Sequence, residues 1–250
     1  PEAWKGRQVF LHFDGVMSAF YVWVNGRMVG YSEDSMTPGE FNITPCLKPG
    51  ENTIAVQVYR WCDGSYLEDQ DMFRMSGIYR NVYLFATPTV HIRDFAVRAT
   101  LDDQYKDGIL MIRPKLATYE ETELKGWTVQ AQLYDAERKA VLAEPLKIAA
   151  PEIVGERYPQ RDNVRFALAR ATVPDVKQWS DELPNLYTLV LTVNDPAGKV
   201  VEAESCRVGF RRVEIKDGQF FVNGRSVRFF GTNRHEHDPD HGRAIPVSRM

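Results

Sequence analysis

Cysteine is scarce. The 250 residues hold three, Cys46, Cys62 and Cys206, widely spaced and without a CxxC pair. An odd number at such spacing argues against a disulfide framework and against a zinc ribbon, and predicts buried free thiols in a reducing, cytoplasmic setting. Long apolar runs are missing too: none approaches the ~20 residues that a membrane-spanning helix needs, so no membrane partner is expected. A formal charge of -3 and a pI near 6.0 leave no basic field to gather phosphates, which speaks against nucleic acid. The GxSxG elbow, the GxxxxGK phosphate loop and GxGxxG after a strand are all absent, as are repeats of fixed period and low-complexity segments. Residues 1–8, PEAWKGRQ, lack the basic start and apolar core of a signal peptide.

What the chain does have is alternation of period two. Val9, Leu11 and Phe13 share one face, as do Phe20, Val22 and Val24, and Ile54, Val56 and Val58. Asn25-Gly26 tolerates the positive φ of a tight hairpin, and Pro49-Gly50 marks a further turn. Residues 1–87 therefore read as an antiparallel jelly-roll β-sandwich. Its first strand starts so near Pro1 that earlier neighbours are expected. Pro88 breaks the pattern, and seven strands follow, at 90–100, 108–117, 125–135, 138–148, 163–173, 186–194 and 199–208, which predicts an immunoglobulin-like sandwich over 88–212. A helical turn is expected ahead of Pro184. From 213 to 250 a hairpin at Asn223-Gly224 leads into an apolar strand, "SVRFFGTN", expected to be the first of an unfinished barrel. The five tryptophans read as core.

Two stretches carry chemistry. "WCDGSYLEDQDMFRMSG", Trp61 to Gly77, sets Asp63, Glu68, Asp69 and Asp71 among bulky rings. An acidic loop is commonly a solvated face. Apolar planes beside carboxylates, however, suit a sugar, whose C–H faces pack on rings while its hydroxyls donate to oxygen, and the carboxylates also suit a hard cation. The second stretch is His235, Glu236, His237, Asp238 and His241 after the apolar strand. Its spacing is wrong for HExxH zinc, and it reads either as a polar cluster at the C-terminal end of a barrel strand or as a surface turn held by Asp238 and Pro239.

"DGSYLEDQDMFRMSGIYRNVYL" and "FFGTNRHEHDPDHG" closely resemble the β-galactosidases of glycoside hydrolase family 2, and so do "DGVMSAFYVWVNGRMVGYSEDSMTPGEFNIT", "WSDELPNLYTLVL" and "GFRRVEI" in the same order. The resemblance implies a sugar-binding jelly roll, an immunoglobulin-like domain and the entry to a (β/α)8 barrel. It implies that Asp71 holds an active-site sodium ion and a galactosyl hydroxyl, and that His235 contacts the galactosyl group. Asp63 and Glu33 fall near positions that hold an outlying magnesium ion in some members, with Glu33 standing where an amide is usual. Residues 150–163 resemble a loop that reaches toward a neighbouring subunit in tetrameric members, so a homo-oligomer, tetramer or dimer, is expected. The chemistry implied is retaining hydrolysis of β-galactosides such as lactose by two glutamates, with magnesium and sodium as cofactors, and neither glutamate falls within these residues. No catalytic residue is thus assigned to this chain, which by itself is expected to be inactive. A β-glucuronidase or β-mannosidase of the same family, a non-catalytic carbohydrate-binding pair and a purely structural pair of sandwiches are the competing readings.

Overall fold

The computed structural model describes residues 1–68, 74–119, 122–155, 168–233, 237–242 and 245–250. They divide into two compact units, Pro1–Thr87 with Gly231–Met250, and Pro88–Phe230.

The first unit is built from β1 (Gln8–Phe13), β2 (Val16–Met17), β3 (Ala19–Val24), β4 (Arg27–Glu33), β5 (Gly39–Asn42), β6 (Ile54–Tyr59), β7 (Gly77–Ile78) and β8 (Val82–Thr87). Two three-stranded antiparallel sheets, β5-β1-β8 and β4-β3-β6, supply its layers, and β2 pairs with β7. Alternate residues of β1 and β3 turn inward because a strand sends successive side chains to opposite faces. Val9, Leu11, Phe13, Phe20, Val22 and Val24 thereby join Val16, Phe41 and Ile43 in one buried cluster. Asn25 and Gly26 turn the β3–β4 hairpin at φ 51° and 80°, as their sequence predicts.

The second unit holds β9 (Val90–Leu101), β10 (Gly108–Thr118), β11 (Thr128–Tyr134), β12 (Leu146–Ala149), β13 (Ala169–Val173), β14 (Tyr187–Asn194) and β15 (Val200–Val208). Sheets β13-β10-β9 and β12-β11-β14-β15 give the seven-stranded immunoglobulin-like sandwich. Its core runs through Leu110, Ile112, Val129, Leu133, Leu189, Leu191 and Phe210, each fully buried. Three further strands, β16 (Val213–Lys216), β17 (Gln219–Val222) and β18 (Arg225–Ser226), form a separate meander. The chain is mainly β; its helices are short, among them α1 (Gly64–Leu67) and α2 (Ala150–Gly155). No described helix is long and apolar enough to cross a membrane.

Five local expectations need correction. The helical turn before Pro184 is replaced by bends, where Leu183 N–H bonds the Ser180 hydroxyl and Trp179 bridges Pro184, so the serine caps a turn that never continues. The run 138–148 is a strand only over its last residues, since Asp135 closes a tight turn by accepting Lys139 N–H. The apolar run after Ser226 is not laddered: beyond the Val227 N–H bond to Phe220 it has no strand beside it among the described residues, and Phe230 is 94% exposed. The three thiols are free but half-buried rather than buried, and Trp61 is 50% exposed instead of core.

Candidate functional site

The acidic stretch begins where β6 ends. Asp63 stands at the N-cap of α1 without spending its side chain on the cap, while Cys62 N–H bonds the Ser65 hydroxyl at 3.1 Å. Trp61 lies under two guanidinium groups, Arg60 at 5.6 Å and Arg74 at 5.8 Å from the ring centroid, and stacks on Tyr66. The cations sit where the ring's negative face attracts them, so the exposed indole is held by charge rather than by burial.

Opposite α1, the link from β4 to β5 makes a tight turn. Asp34 adopts φ 92°, and its carboxylate accepts Met36 N–H at 3.0 Å and the Thr37 hydroxyl at 2.8 Å. Those two bonds, the hydroxyl's first, hold the Asp34 carboxyl below the ordinary carboxylate range. The turn presents the backbone of Ser35, which is 2% exposed. Its N–H bonds both oxygens of Glu68, at 3.1 and 3.2 Å, and its carbonyl accepts the Tyr79 hydroxyl at 2.5 Å. Arg74 Nη1 donates to the Ser65 carbonyl at 2.7 Å.

Glu33, Cys62 and Asp63 bring one ligand atom each within 4.8 Å of one another. The family resemblance paired Glu33 with Asp63 but did not include Cys62. Glu33 Oε2 also accepts the Tyr31 hydroxyl at 2.7 Å, which, ahead of burial, pushes the phenol above its usual range. Among the described residues neither carboxylate meets a cationic side chain. Two such carboxylates fit a hard divalent ion held largely through water; the soft thiol offers it nothing.

The described part of the second stretch, Asp238 to His241, forms a turn. Asp238 Oδ1 accepts the N–H groups of Asp240 and His241 and meets His241 Nδ1 at 2.9 Å. The His241 bond first, then the Asp240 N–H, pull its carboxyl down to about 2. Its carboxylate is spent on the turn. A cavity of about 90 Å³ is lined by Met17, Met75, Ser76, Gly77, Tyr79, His241 and Gly242. The end of the acidic stretch, with Tyr79 just beyond it, and the turn that carries His241 therefore line one wall in the same unit. Asp71 and His235 themselves lie outside the described residues, as do residues 156–163 of the expected subunit loop. Ser35, Glu68, Tyr79 and Arg74 were not foreseen as a group; "DSMT" at 34–37, an aspartate ahead of Met36 and Thr37, was the signal for the turn.

Comparison with known proteins agrees along the chain. Residues 1–88 match the sugar binding domain of glycosyl hydrolases family 2, residues 90–211 match the domain described as glycosyl hydrolases family 2, and residues 213–250 match the family's TIM barrel domain. A β-galactosidase of Priestia megaterium is 49% identical over 241 residues, 96% of this chain and 22% of that protein. One from Pectobacterium atrosepticum is 45% identical over 240 residues, 95% of this chain and 22% of that protein. The chain thus spans less than a quarter of the length of these curated relatives. Among solved structures, a β-glucuronidase of Parabacteroides merdae superposes with TM-score 0.79 at 23% identity, over 97% of this chain and 30% of its own, a likeness of fold alone. Three consecutive domain matches, in an order that follows the two sandwiches and the meander, place the chain in glycosyl hydrolases family 2.

Proposed function

We propose that this chain is the sugar-pocket wall and structural shoulder of a β-galactosidase that removes terminal non-reducing β-D-galactose from β-galactosides such as lactose. The observation that carries the reading is the identity with curated β-galactosidases across nearly all of these residues. The β-glucuronidase likeness gives no rival substrate, because it lies at the level of fold.

Hydrolysis in this reading retains configuration: one glutamate protonates the leaving oxygen and another attacks the anomeric carbon, with the carboxyls about 5 Å apart. Both would come from the longer protein. Asp71 would contribute to the galactosyl subsite and to a sodium ion, and His235 would contact the galactosyl group. The shared wall of Met75, Tyr79 and Gly242 supports bringing those two stretches to one pocket. Glu33 and Asp63 would hold an outlying magnesium ion, supported by neighbouring carboxylates that meet no cationic side chain among the described residues. A bound sodium ion supplies a fixed positive charge to which sugar hydroxyl oxygens coordinate. The chain's own groups do the orienting: carboxylates accept hydroxyl protons, and rings pack on the sugar's C–H face. The enzyme would work in the cytoplasm as a homo-oligomer, tetramer or dimer.

The test is the longer protein assayed on lactose and on a β-glucuronide with sodium and magnesium titrated separately. Galactoside turnover that Asp71→Ala weakens, together with its sodium response, is expected. Preference for the glucuronide, or an unchanged sodium response in that variant, would sink the reading.

A further inference from the structure

In the second unit, β9 and β15 are the edge strands of the two sheets. Near the start of β9 they are tied together, where Ile92 N–H bonds Glu202 Oε2 at 2.6 Å. Farther along, a cavity of about 830 Å³ opens between Val97–Gln104 on one side and Arg207–Glu214 on the other. Arg207 and Arg211 both line it, with Val208 and Phe210 buried between them in the chain. The Arg211 guanidinium lies over the Trp179 ring, 4.7 Å from its centroid, and Trp179 packs so closely on Gly209 that a Cβ there would stand 2.9 Å from it. Stacking occupies the face of the guanidinium and leaves its in-plane N–H groups for an acceptor.

The lining carboxylates do not neutralise this pair. Asp103 and Glu214 both bond Arg212, and Glu214 also takes Lys216. Asp102 accepts the N–H groups of Lys106 and Asp107 within its own turn. Among the described residues Arg207 and Arg211 meet no carboxylate, whereas Arg98, on the same wall, has an interaction of its own. Two such guanidinium groups match a phosphate monoester, which carries a charge of about -1.5 to -2 at pH 7 and offers oxygens to their planar forks. Thr100 and Gln104 add a hydroxyl and an amide to the lining, and the volume is that of a small-molecule site, larger than phosphate alone would fill. The chain's formal charge of -3 excludes a broad basic field and leaves a basic pocket of this size untouched.

We propose that this cavity is a binding site for a phosphoryl group, free or carried on a sugar, held by Arg207 and Arg211. It is built wholly from the second unit and is independent of the galactoside reading. The test is isothermal titration calorimetry of the full-length protein with inorganic phosphate, glucose 6-phosphate and glucose. Binding of one phosphorylated ligand per chain is expected, weakened about tenfold by Arg207→Gln and by Arg211→Gln, with Tm of the exposed Arg207→Gln variant unchanged. Lys147→Gln, which removes a charge outside the cavity, should leave the affinity as it is. Equal affinity for phosphate and glucose 6-phosphate supports a site that reads the phosphoryl group alone; at least tenfold tighter binding of glucose 6-phosphate supports a sugar phosphate. No binding of either, equal binding of glucose and glucose 6-phosphate, or an affinity that neither arginine variant changes overturns the site.

Discussion

The Tyr105 hydroxyl donates to Glu214 Oε2 at 2.7 Å, joining the β9–β10 turn to the first strand of the terminal meander. Lys216 Nζ donates to the same phenol at 2.8 Å, and Arg212 bonds Glu214 at 3.0 Å and Asp103 at 2.6 Å. The Tyr105 bond, then Lys216 and Arg212, hold the Glu214 carboxyl below its ordinary range. A depressed folded value means that the contribution is present above the unfolded carboxylate range and disappears as pH falls through the folded value. Tyr105→Phe should therefore cost stability at pH 6 and little at pH 2, read by urea unfolding at both. It should also speed amide exchange over 213–222.

Of the glycines at close approaches, Gly39 and Gly108 are the tightest. A Cβ on Gly39 would stand 2.6 Å from the Phe20 ring, and one on Gly108 would meet the Phe210 ring at 2.6 Å and Val176 at 2.8 Å. Gly39→Ala and Gly108→Ala should each destabilise by about 1–3 kcal/mol through overpacking, while Gly6→Ala, open in space, suffers only its positive φ. Chemical denaturation of the three variants checks the ranking.

The Asp34 turn separates backbone strain from hydrogen bonding. Asp34→Gly relieves the φ of 92° but removes both bonds, a loss of about 1 kcal/mol; Asp34→Ala keeps the strain as well and should lose about 2 kcal/mol. Equal losses in the two variants would show that the φ carries no cost.

In the second sandwich, Leu191→Ala should destabilise by about 2–5 kcal/mol, since the side chain is 0% exposed within the main cluster. Leu183→Ala, at 67% exposure, should fall within about 0.5 kcal/mol of wild type by the same measurement.

Both sandwiches were legible because each inward strand repeats its pattern on alternate residues, as Val9, Leu11 and Phe13 do, and because Asn25-Gly26 and Asn223-Gly224 encode positive φ directly. The strand expected from "SVRFF" was not, since alternation records which face is apolar and says nothing about whether a neighbouring strand is present to accept the ladder. At the candidate site, sequence pointed to carboxylates by their residue type, and the family resemblance paired Glu33 with Asp63. Sequence could not reveal Ser35, whose part is played by backbone atoms that any residue but proline would supply. Asp238 was legible as a turn former, a reading its bonds to the Asp240 and His241 N–H groups explain.

The first unit is assembled from two pieces of chain separated by the whole of the second, Pro88–Phe230. During synthesis, at roughly 5–20 residues per second, those intervening residues take on the order of ten seconds to emerge. For that time β1 to β8 are outside the ribosome while the partner of Met75 and Tyr79, the turn at His241 and Gly242, has yet to be made. The order of translation thus has the immunoglobulin-like sandwich emerge while the first unit is still incomplete, and delays closure of the pocket wall until Gly231–Met250 have been made.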